Sequence, residues 1–247
     1  MGLLVRPPGN QRSREGSMTI IEHLEDLRRA LAISAGAWVL GTLAAWFFSV
    51  EILRFIVFRA ALPHGLVYLD PTGGFMIRLE IAMAAGTLLA SPAIFWQLWW
   101  FISPGLHRHE RRIVLPLIAA TTFFFLLGVA LCFYALPLIV GVLSGFAPHD
   151  VLQFLPSGDA FLSFLLGLSI AFGLVFQLPV VLWTLGMLGV ISSAWLWRNR
   201  FYWVSGLGLL ANFMTPGGDP LVTPLVVFVP LLTFYLGVTV LLRITGR

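Results

Sequence analysis

Long runs without ionisable side chains alternate with short arginine-bearing segments along this chain, and this alternation limits how it can fold. A helix needs about 20 residues to cross about 30 Å of hydrocarbon. Six regions approach or exceed that length: 30–50, 81–101, 113–137, 160–191, 201–214 and 220–242. The fifth is short, so we expect a thinner bilayer or covering neighbours there. With 59% hydrophobic and 11% charged residues among 247, the sequence predicts an all-α integral membrane protein.

Arginine placement decides the number of crossings between residues 160 and 197, which carry no formal charge and could hold one helix or two. All 15 basic residues are arginine, and a single crossing puts twelve of them on one side of the membrane. Only Arg54, Arg59 and Arg78 then lie on the other side, in agreement with the positive-inside rule. We therefore predict a six-helix bundle with both termini in the cytoplasm. The tail of the fourth span, 192–197, should lie along the interface.

The ends of the chain and its prolines refine this prediction. Residues 1–17 lack hydrophobic periodicity and the apolar core of a signal peptide, so we predict a disordered cytoplasmic tail before a single membrane domain, 18–247. Met18 is an alternative start of the protein.

Prolines inside the spans remove backbone donors, so we expect kinked helices packed as one bundle. These prolines are Pro92, Pro137, Pro179, Pro224 and Pro230.

Few residues offer catalytic or metal-binding chemistry. Cys132 is the only cysteine and lies within an apolar run, which argues against disulfide, zinc and Cys-pair redox chemistry. His107 and His109 could bind a metal together, but a solvated turn is the favoured interpretation. Hydrolase, zinc-protease and phosphate-loop motifs are absent, so we predict a protein that is not an enzyme and has no cofactor. The net charge of +4 comes from arginines that flank the apolar runs, so it reflects membrane topology and does not indicate nucleic-acid binding.

The predicted spans contain no charged or histidine residue away from their ends. Ion-coupled carriers usually place one there, so this argues against a proton relay within the chain. Arg78 and Glu80, at the outer end of the second span, should snorkel to the interface. The deepest strongly polar side chain is Gln177, which either ties two helices of this chain together or faces a partner helix. A second polar group with the same two alternatives comprises Asn212, Thr215 and Thr223.

The segment TIIEHLEDLRRAL predicts an amphipathic helix at the membrane surface. Thr19 and Glu22 form a capping box, so the helix should begin there. Apolar residues recur at helical spacing on one face while acidic residues gather on another. The apolar ones are Ile20, Leu24, Leu27 and Leu31, and the acidic ones are Glu22, Glu25 and Asp26. Spacing alone favours an intrahelical role, in which Glu22 serves the cap and Asp26 pairs with Arg29.

Glu110 is the single acid in FISPGLHRHERR, residues 101–112. In the first turn of the third span it would stabilise the helix by about 0.3 to 1 kcal/mol through the macrodipole. Arg111 and Arg112 lie about 100° and 200° around the helix, so they can point to lipid headgroups while Glu110 points inward. Glu110 therefore either stabilises the helix end or accepts a cation from elsewhere.

Four motifs, in this order between the spans, resemble those of the TatC family, the polytopic core of the twin-arginine protein translocase: IIEHLEDLR, FWQLWWFISPGLHRHERR, AFGLVFQLP and TPGGDP. The resemblance runs from about residue 18 to residue 243. It implies a cup-like six-helix bundle in the cytoplasmic (inner) membrane of a prokaryote. It also implies a receptor for twin-arginine signal peptides that associates with itself and with single-span TatA- and TatB-type subunits. Such a receptor exports folded proteins using the proton-motive force.

The resemblance further implies which residues act. Asp26 and Glu110 would accept the arginines of the signal peptide at the cytoplasmic face, with His23 and Glu25 of the first motif beside them. Guanidinium and carboxylate groups form bidentate, charge-assisted hydrogen bonds that the ammonium group of lysine cannot copy. The residues that would dock partner helices are Phe176, Gln177, Asn212, Thr215 and Thr223.

Three positions depart from the family pattern. Asp26 stands where glutamate is usual, which shortens the reach of the carboxylate by one methylene. Gln177 replaces the usual carboxylate, so a protonatable group there cannot be essential in this protein. Glu80 appears where lysine is usual at the outer end of the second span.

The alternative function is a secondary transporter for small molecules, which would show substrate-driven proton flux in liposomes.

Overall fold

The computed structural model describes residues 20–62, 64–102, 114–146, 154–214 and 222–246, with the side chains of 20, 214 and 222–225 excepted. The predicted tail, the cap residue Thr19, the acid Glu110 and the polar residue Thr215 lie outside the described residues. Nine helices occupy the described ranges: α1 (Ile20–Phe47), α2 (Ser49–Arg59), α3 (Gly73–Ile102), α4 (Val114–Gly145), α5 (Gly158–Val175), α6 (Leu178–Met187), α7 (Ser193–Arg198), α8 (Arg200–Met214) and α9 (Val222–Ile244).

Five segments of the described chain are long and apolar enough to cross a membrane, and one of them combines α5 and α6. The five that meet this criterion are Ile21–Phe47, Gly73–Ile102, Val114–Gly145, Gly158–Met187 and Val226–Ile244. α8 has only 15 residues, and it corresponds to the short fifth span of the sequence prediction. Within the described ranges, the only β pairing is one isolated bridge, between Val67 and Ser157. The predicted all-α, six-helix membrane fold is therefore confirmed.

The fourth span is one crossing made of two helices, followed by a short third one. α5 ends at Val175 and α6 begins at Leu178, with Pro179 in the first turn of α6, where a missing backbone donor costs nothing. α7 then forms a separate turn capped by Ser192, whose hydroxyl accepts a hydrogen bond from the Trp195 amide at 3.2 Å. Tyr235 of α9 donates its hydroxyl to the Leu196 carbonyl at 2.8 Å. The tail of the fourth span is thus held against the last helix.

The outer end of the first span differs from the sequence prediction. α1 stops at Phe47, and a further helix, α2, follows at once over Ser49–Arg59, a segment that we did not predict to be helical. α3 also begins before its apolar run, and so Arg78 and Glu80 lie within the helix. Arg78 donates from Nε to the Ser49 hydroxyl at 3.0 Å, and its guanidinium carbon lies 4.8 Å from the centre of the Trp46 ring. The charge of Arg78 is therefore satisfied within the chain.

α1 and α3 run antiparallel in direct backbone contact. A Cβ added at Gly41 would lie 2.8 Å from the Gly86 carbonyl oxygen, and one added at Gly86 would lie 2.6 Å from the Thr42 amide nitrogen. One residue along α3, Thr87 accepts a hydrogen bond from the Trp38 indole at 2.9 Å. Because lipid supplies no hydrophobic force between helices, close approach through small residues is how such pairs associate. This contact sets which residues at the two ends of α1 and α3 meet.

The core lies chiefly between α4, α5 and α9. Its largest side chains with less than 2% exposure include Phe172, Leu136 and Leu231. Gly128 of α4 admits the backbone of α5, since an added Cβ would lie 2.6 Å from the Phe172 carbonyl oxygen. Pro92, Pro137 and Pro230 lie inside helices that continue past them.

Replacing Gly86 with alanine should destabilise the bundle although alanine favours helix more than glycine does. The new methyl would overlap the α1 backbone, and overpacking of this kind costs about 1 to 3 kcal/mol. Gly36→Ala is the matched control, because nothing lies within 4 Å of its added Cβ. Thermal unfolding in detergent should show a lower midpoint for Gly86→Ala only. Equal midpoints for the two variants would contradict the close contact.

Candidate functional site

The first turns of α1 present acidic side chains to the surroundings. Within the described residues α1 begins at Ile20, and Glu22 lies in its first turn, near the positive end of the helix dipole. The predicted cap residue Thr19 lies outside the described residues. His23, Glu25 and Asp26 are all exposed. Asp26 makes no hydrogen bond or ion pair with any other described residue, so the expected pairing with Arg29 is not present.

His23 connects this acidic turn to the end of α3. Its ring stacks on the Phe101 ring with centroids 4.3 Å apart and an interplanar angle of 17°. Phe101 is the penultimate residue of α3, and the described chain stops at Ile102 and resumes at Val114. The turn that carries His23, Glu25 and Asp26 therefore lies next to the described end of α3. The structure brings those three together, while the position of Glu110 itself lies outside the described residues.

Gln177 occupies the break between α5 and α6. It is half-buried, and its Nε2 donates to the Thr121 carbonyl oxygen of α4 at 3.0 Å. Of the two alternatives that the sequence left open, the structure therefore contains the tie between helices of this chain. A half-buried amide can still contact a partner helix through its remaining donor and acceptor.

Two residues that the sequence reasoning missed complete this polar group. The Thr121 hydroxyl donates to the Leu117 carbonyl at 2.7 Å and accepts a hydrogen bond from the Trp99 indole at 2.8 Å. Trp99 of α3, Thr121 of α4 and Gln177 between α5 and α6 thus form one chain of hydrogen bonds across three helices. Buried polar groups in a bilayer need partners, and here the Trp99 indole, the Thr121 hydroxyl and the Gln177 Nε2 each have one.

The other predicted docking residues have different surroundings. Phe176 is 1% exposed, and its ring lies 6.1 Å from that of Phe234 in a T-shaped contact, so a partner helix would not reach it in this conformation. Asn212 is exposed on α8 and makes no hydrogen bond with other described residues. Thr223 lies in the first turn of α9, but its side chain is outside the described set. No described contact joins Asn212 to Gln177.

The residues between Gln177 and Asn212 in the sequence line an open groove. It has a volume of about 580 Å³, and it is lined by residues of α6, α7, α8 and the residue between α7 and α8: Leu178, Trp195, Asn199, Tyr202, Trp203, Gly206, Leu207 and Leu210. Gly206 has open space where its Cβ would be, so a helix could approach closely there. Apart from the small residue Gly206, nothing in the sequence indicates this groove.

Glu80 lies partly inside the bundle, whereas we expected it to snorkel to the interface. Glu80 is half-buried and faces a cavity of about 300 Å³ between α1, α2, α3, α4 and α5, with Trp38 and Thr87 on its wall. Its Oε2 is buried, and the carboxyl group of Asp159, in the first turn of α5, lies close enough to interact with it. The reason is the rotation of α3, which turns Arg78 toward α1 and Glu80 toward the bundle.

Across the described ranges, no cluster of three or more His, Cys, Asp or Glu residues occurs. Cys132 is buried, with its sulfur 3.6 Å from the Ser169 hydroxyl.

Comparison with known proteins gives a consistent result. Residues 22–230 match the family model described as Sec-independent protein translocase protein (TatC). The protein of that name from Carboxydothermus hydrogenoformans is 36% identical over 219 residues, which cover 88% of this chain and 90% of the relative. The chloroplastic protein from Arabidopsis thaliana is 34% identical over 93% of this chain and 68% of the relative. A crystal structure of the twin-arginine translocase receptor TatC in DDM has 32% identity and a TM-score of 0.71, covering 90% of this chain and 99% of that one.

The bond between Trp99 and Thr121 can be tested by a double-mutant cycle. Thr121→Val and Trp99→Phe should each lower the free energy of unfolding by about 1 kcal/mol, because each removes one partner of the bond. The double variant should lose little more than either single one, since the bond is already gone. Thr121→Ser, which keeps the hydroxyl, is the control. Additive losses in equilibrium unfolding in detergent would show that the two residues act independently.

Proposed function

This chain belongs to the TatC family of Sec-independent protein translocase proteins, and we propose that it is the subunit that receives twin-arginine signal peptides and docks single-span partners. The family assignment makes it a membrane component of the twin-arginine translocase, with a role in transport rather than catalysis. No finding favours the alternative of a small-molecule transporter. The observation that carries the proposal is the exposed carboxylate of Asp26, which has no partner among the described residues and lies beside the end of α3.

Asp26 and Glu110 are the proposed acceptors of the two arginines. The His23–Phe101 stack holds the acidic turn of α1 against the end of α3, and Glu110 follows Ile102 by eight residues in the sequence. This supports the proposal that the two carboxylates bind neighbouring residues of one extended peptide. Glu25 adds a second negative charge on the same turn. Each guanidinium can form two parallel hydrogen bonds to a carboxylate, which requires arginine rather than lysine. Specificity then comes from local geometry, because the 103–113 segment as a whole carries excess positive charge.

Partner docking is proposed along the groove between α6 and α8. Gln177 lies beside its Leu178 wall, and Asn212 is two residues beyond Leu210. A single-span helix would place small or apolar residues against Gly206 and offer a polar group to either amide. Phe176 would contribute from within the core, where its contact with Phe234 holds the junction between α5 and α6 in place. Thr215 and Thr223, near the turn between α8 and α9, remain proposed members of this site.

The setting of the proposed activity follows the family. We place the protein in the cytoplasmic membrane of a prokaryote, with both termini and the acidic turn of α1 on the cytoplasmic side. There it would associate with TatA- and TatB-type subunits and with further copies of itself. Export of folded proteins would draw on the proton-motive force, without nucleotide.

Cross-linking tests the arginine acceptors. Asp26→Ala and Glu110→Ala should each abolish cross-linking to a signal peptide that contains Arg-Arg, because each removes the oxygens that a guanidinium needs. Glu51→Ala, which removes an exposed acid on α2, is the control and should cross-link normally. A Lys-Lys signal should bind about tenfold more weakly than the Arg-Arg signal. Normal cross-linking to Asp26→Ala would refute its role, and equal binding of both signals would reduce recognition to charge attraction.

Partner pull-down tests Gln177. Gln177→Leu removes the donor to the Thr121 carbonyl and should weaken association with the partner subunits while signal-peptide cross-linking is retained. Thr184→Val is a suitable control, because its hydroxyl bonds only within α6, to the Val180 carbonyl. If Gln177→Leu retains the partners as well as the control does, Gln177 is an internal tie alone.

A further inference from the structure

α2 carries charged groups that the bundle does not use. It follows α1 after the single residue Phe48, and with the start of α3 it holds all three arginines predicted to lie on the outer side. Two of these arginines are satisfied inside the chain. Arg78 bonds Ser49 and covers Trp46, while Arg59 donates from Nη2 to the Tyr134 carbonyl at 2.9 Å and lies 5.7 Å from the Tyr134 ring.

These contacts indicate where α2 lies relative to the bilayer. Tryptophan and tyrosine are enriched at membrane interfaces, and Trp46 and Tyr134 each pair with an arginine here. Phe47, the last residue of α1, is 79% exposed, and Phe58, near the end of α2, is 82% exposed. A helix with apolar aromatic residues and arginines on its open surface is suited to the level of the lipid headgroups.

Arg54 differs from the other two arginines. It is exposed, and it makes no hydrogen bond or ion pair with any other described residue. Glu51 lies one turn before it on the same helix and is likewise exposed and unpaired within the described chain. Residues at this spacing commonly pair with each other, but these two do not. α2 therefore presents a cation and an anion, side by side, and no described residue neutralises either of them.

An open groove adjoins Arg54. Its volume is about 720 Å³, and apart from Arg54 its lining is apolar: Leu53, Val57, Phe58, Ala61 and Leu62. Arg54 and Phe58 follow one another along one face of α2, and Ala61 comes two residues after the end of that helix. A ligand that fits both features has an apolar chain for the groove and a phosphate for the guanidinium.

We propose that the Glu51–Arg54 face of α2 binds a phospholipid of the outer leaflet whose headgroup carries both a phosphate and a primary ammonium. The phosphate accepts hydrogen bonds from Arg54, the ammonium donates to Glu51, and one acyl chain lies in the groove against Phe58. A lipid with a purely anionic headgroup would satisfy Arg54 but place its second polar group against the Glu51 carboxylate. The pair of opposite charges on the helix thus matches the pair of opposite charges on the headgroup.

Native mass spectrometry of the full chain in detergent can test this proposal. Phosphatidylethanolamine and phosphatidylglycerol with the same acyl chains would be added separately, and the fraction of lipid-bound protein measured. The wild-type chain should retain phosphatidylethanolamine better than phosphatidylglycerol. Arg54→Gln should lower retention of phosphatidylethanolamine about tenfold, as expected when a charge-assisted bond is lost. Glu51→Gln should remove the preference between the two lipids, and Phe58→Ala should reduce retention of both.

Arg243→Gln is the matched control, because it removes an exposed arginine from the last turn of α9, far along the chain. It should bind lipid as the wild type does, and all four variants should still cross-link to a twin-arginine signal. The proposal is overturned if Arg54→Gln binds as the wild type does, or if Arg243→Gln loses as much lipid. A wild-type preference for phosphatidylglycerol, or a preference that survives Glu51→Gln, would exclude the ammonium contact.

Discussion

The direct backbone contact between α1 and α3 is the interaction on which the rest of the structure depends. Gly41 and Gly86 allow the two helices to approach until an added methyl on either would overlap the other. Because the helices are antiparallel, fixing their middle fixes both ends. One end brings His23 onto Phe101, and the other brings Trp46 over Arg78. The proposed peptide-binding turn and the interfacial surface of α2 are therefore set by the same packing.

The spans were predictable because hydropathy and arginine placement act over whole segments. α2 was not, since Glu51, Arg54 and Arg59 interrupt its apolar residues and looked like a loop between spans. The break in the fourth span coincides with Pro179, whose chemistry the sequence does show. The depth of an individual side chain in the bundle could not be predicted from the sequence in the same way. Glu80 turned inward because its direction depends on the rotation of α3 against its neighbours, which only the packed bundle determines.

The candidate site was found in part. The residues of the first turns of α1 were identified from their motif, and their exposure follows from their position at the end of a helix. Spacing favoured an Asp26–Arg29 pair that the structure lacks, since a weak surface pair is easily outweighed by rotamer freedom. Trp99 and Thr121 escaped notice because indoles and hydroxyls are common in spans. Only the arrangement of three helices shows that they bond to each other.

The Gln177 tie has a consequence for energy coupling. The amide of Gln177 and the carbonyl of Thr121 carry no net charge, so neither moves a formal charge when they separate. A unit charge that crosses the membrane potential changes its free energy by about 2.3 kcal/mol per 100 mV, whereas a neutral pair changes almost not at all. Opening the fourth span at its break therefore costs nearly the same in an energised membrane as in a resting one.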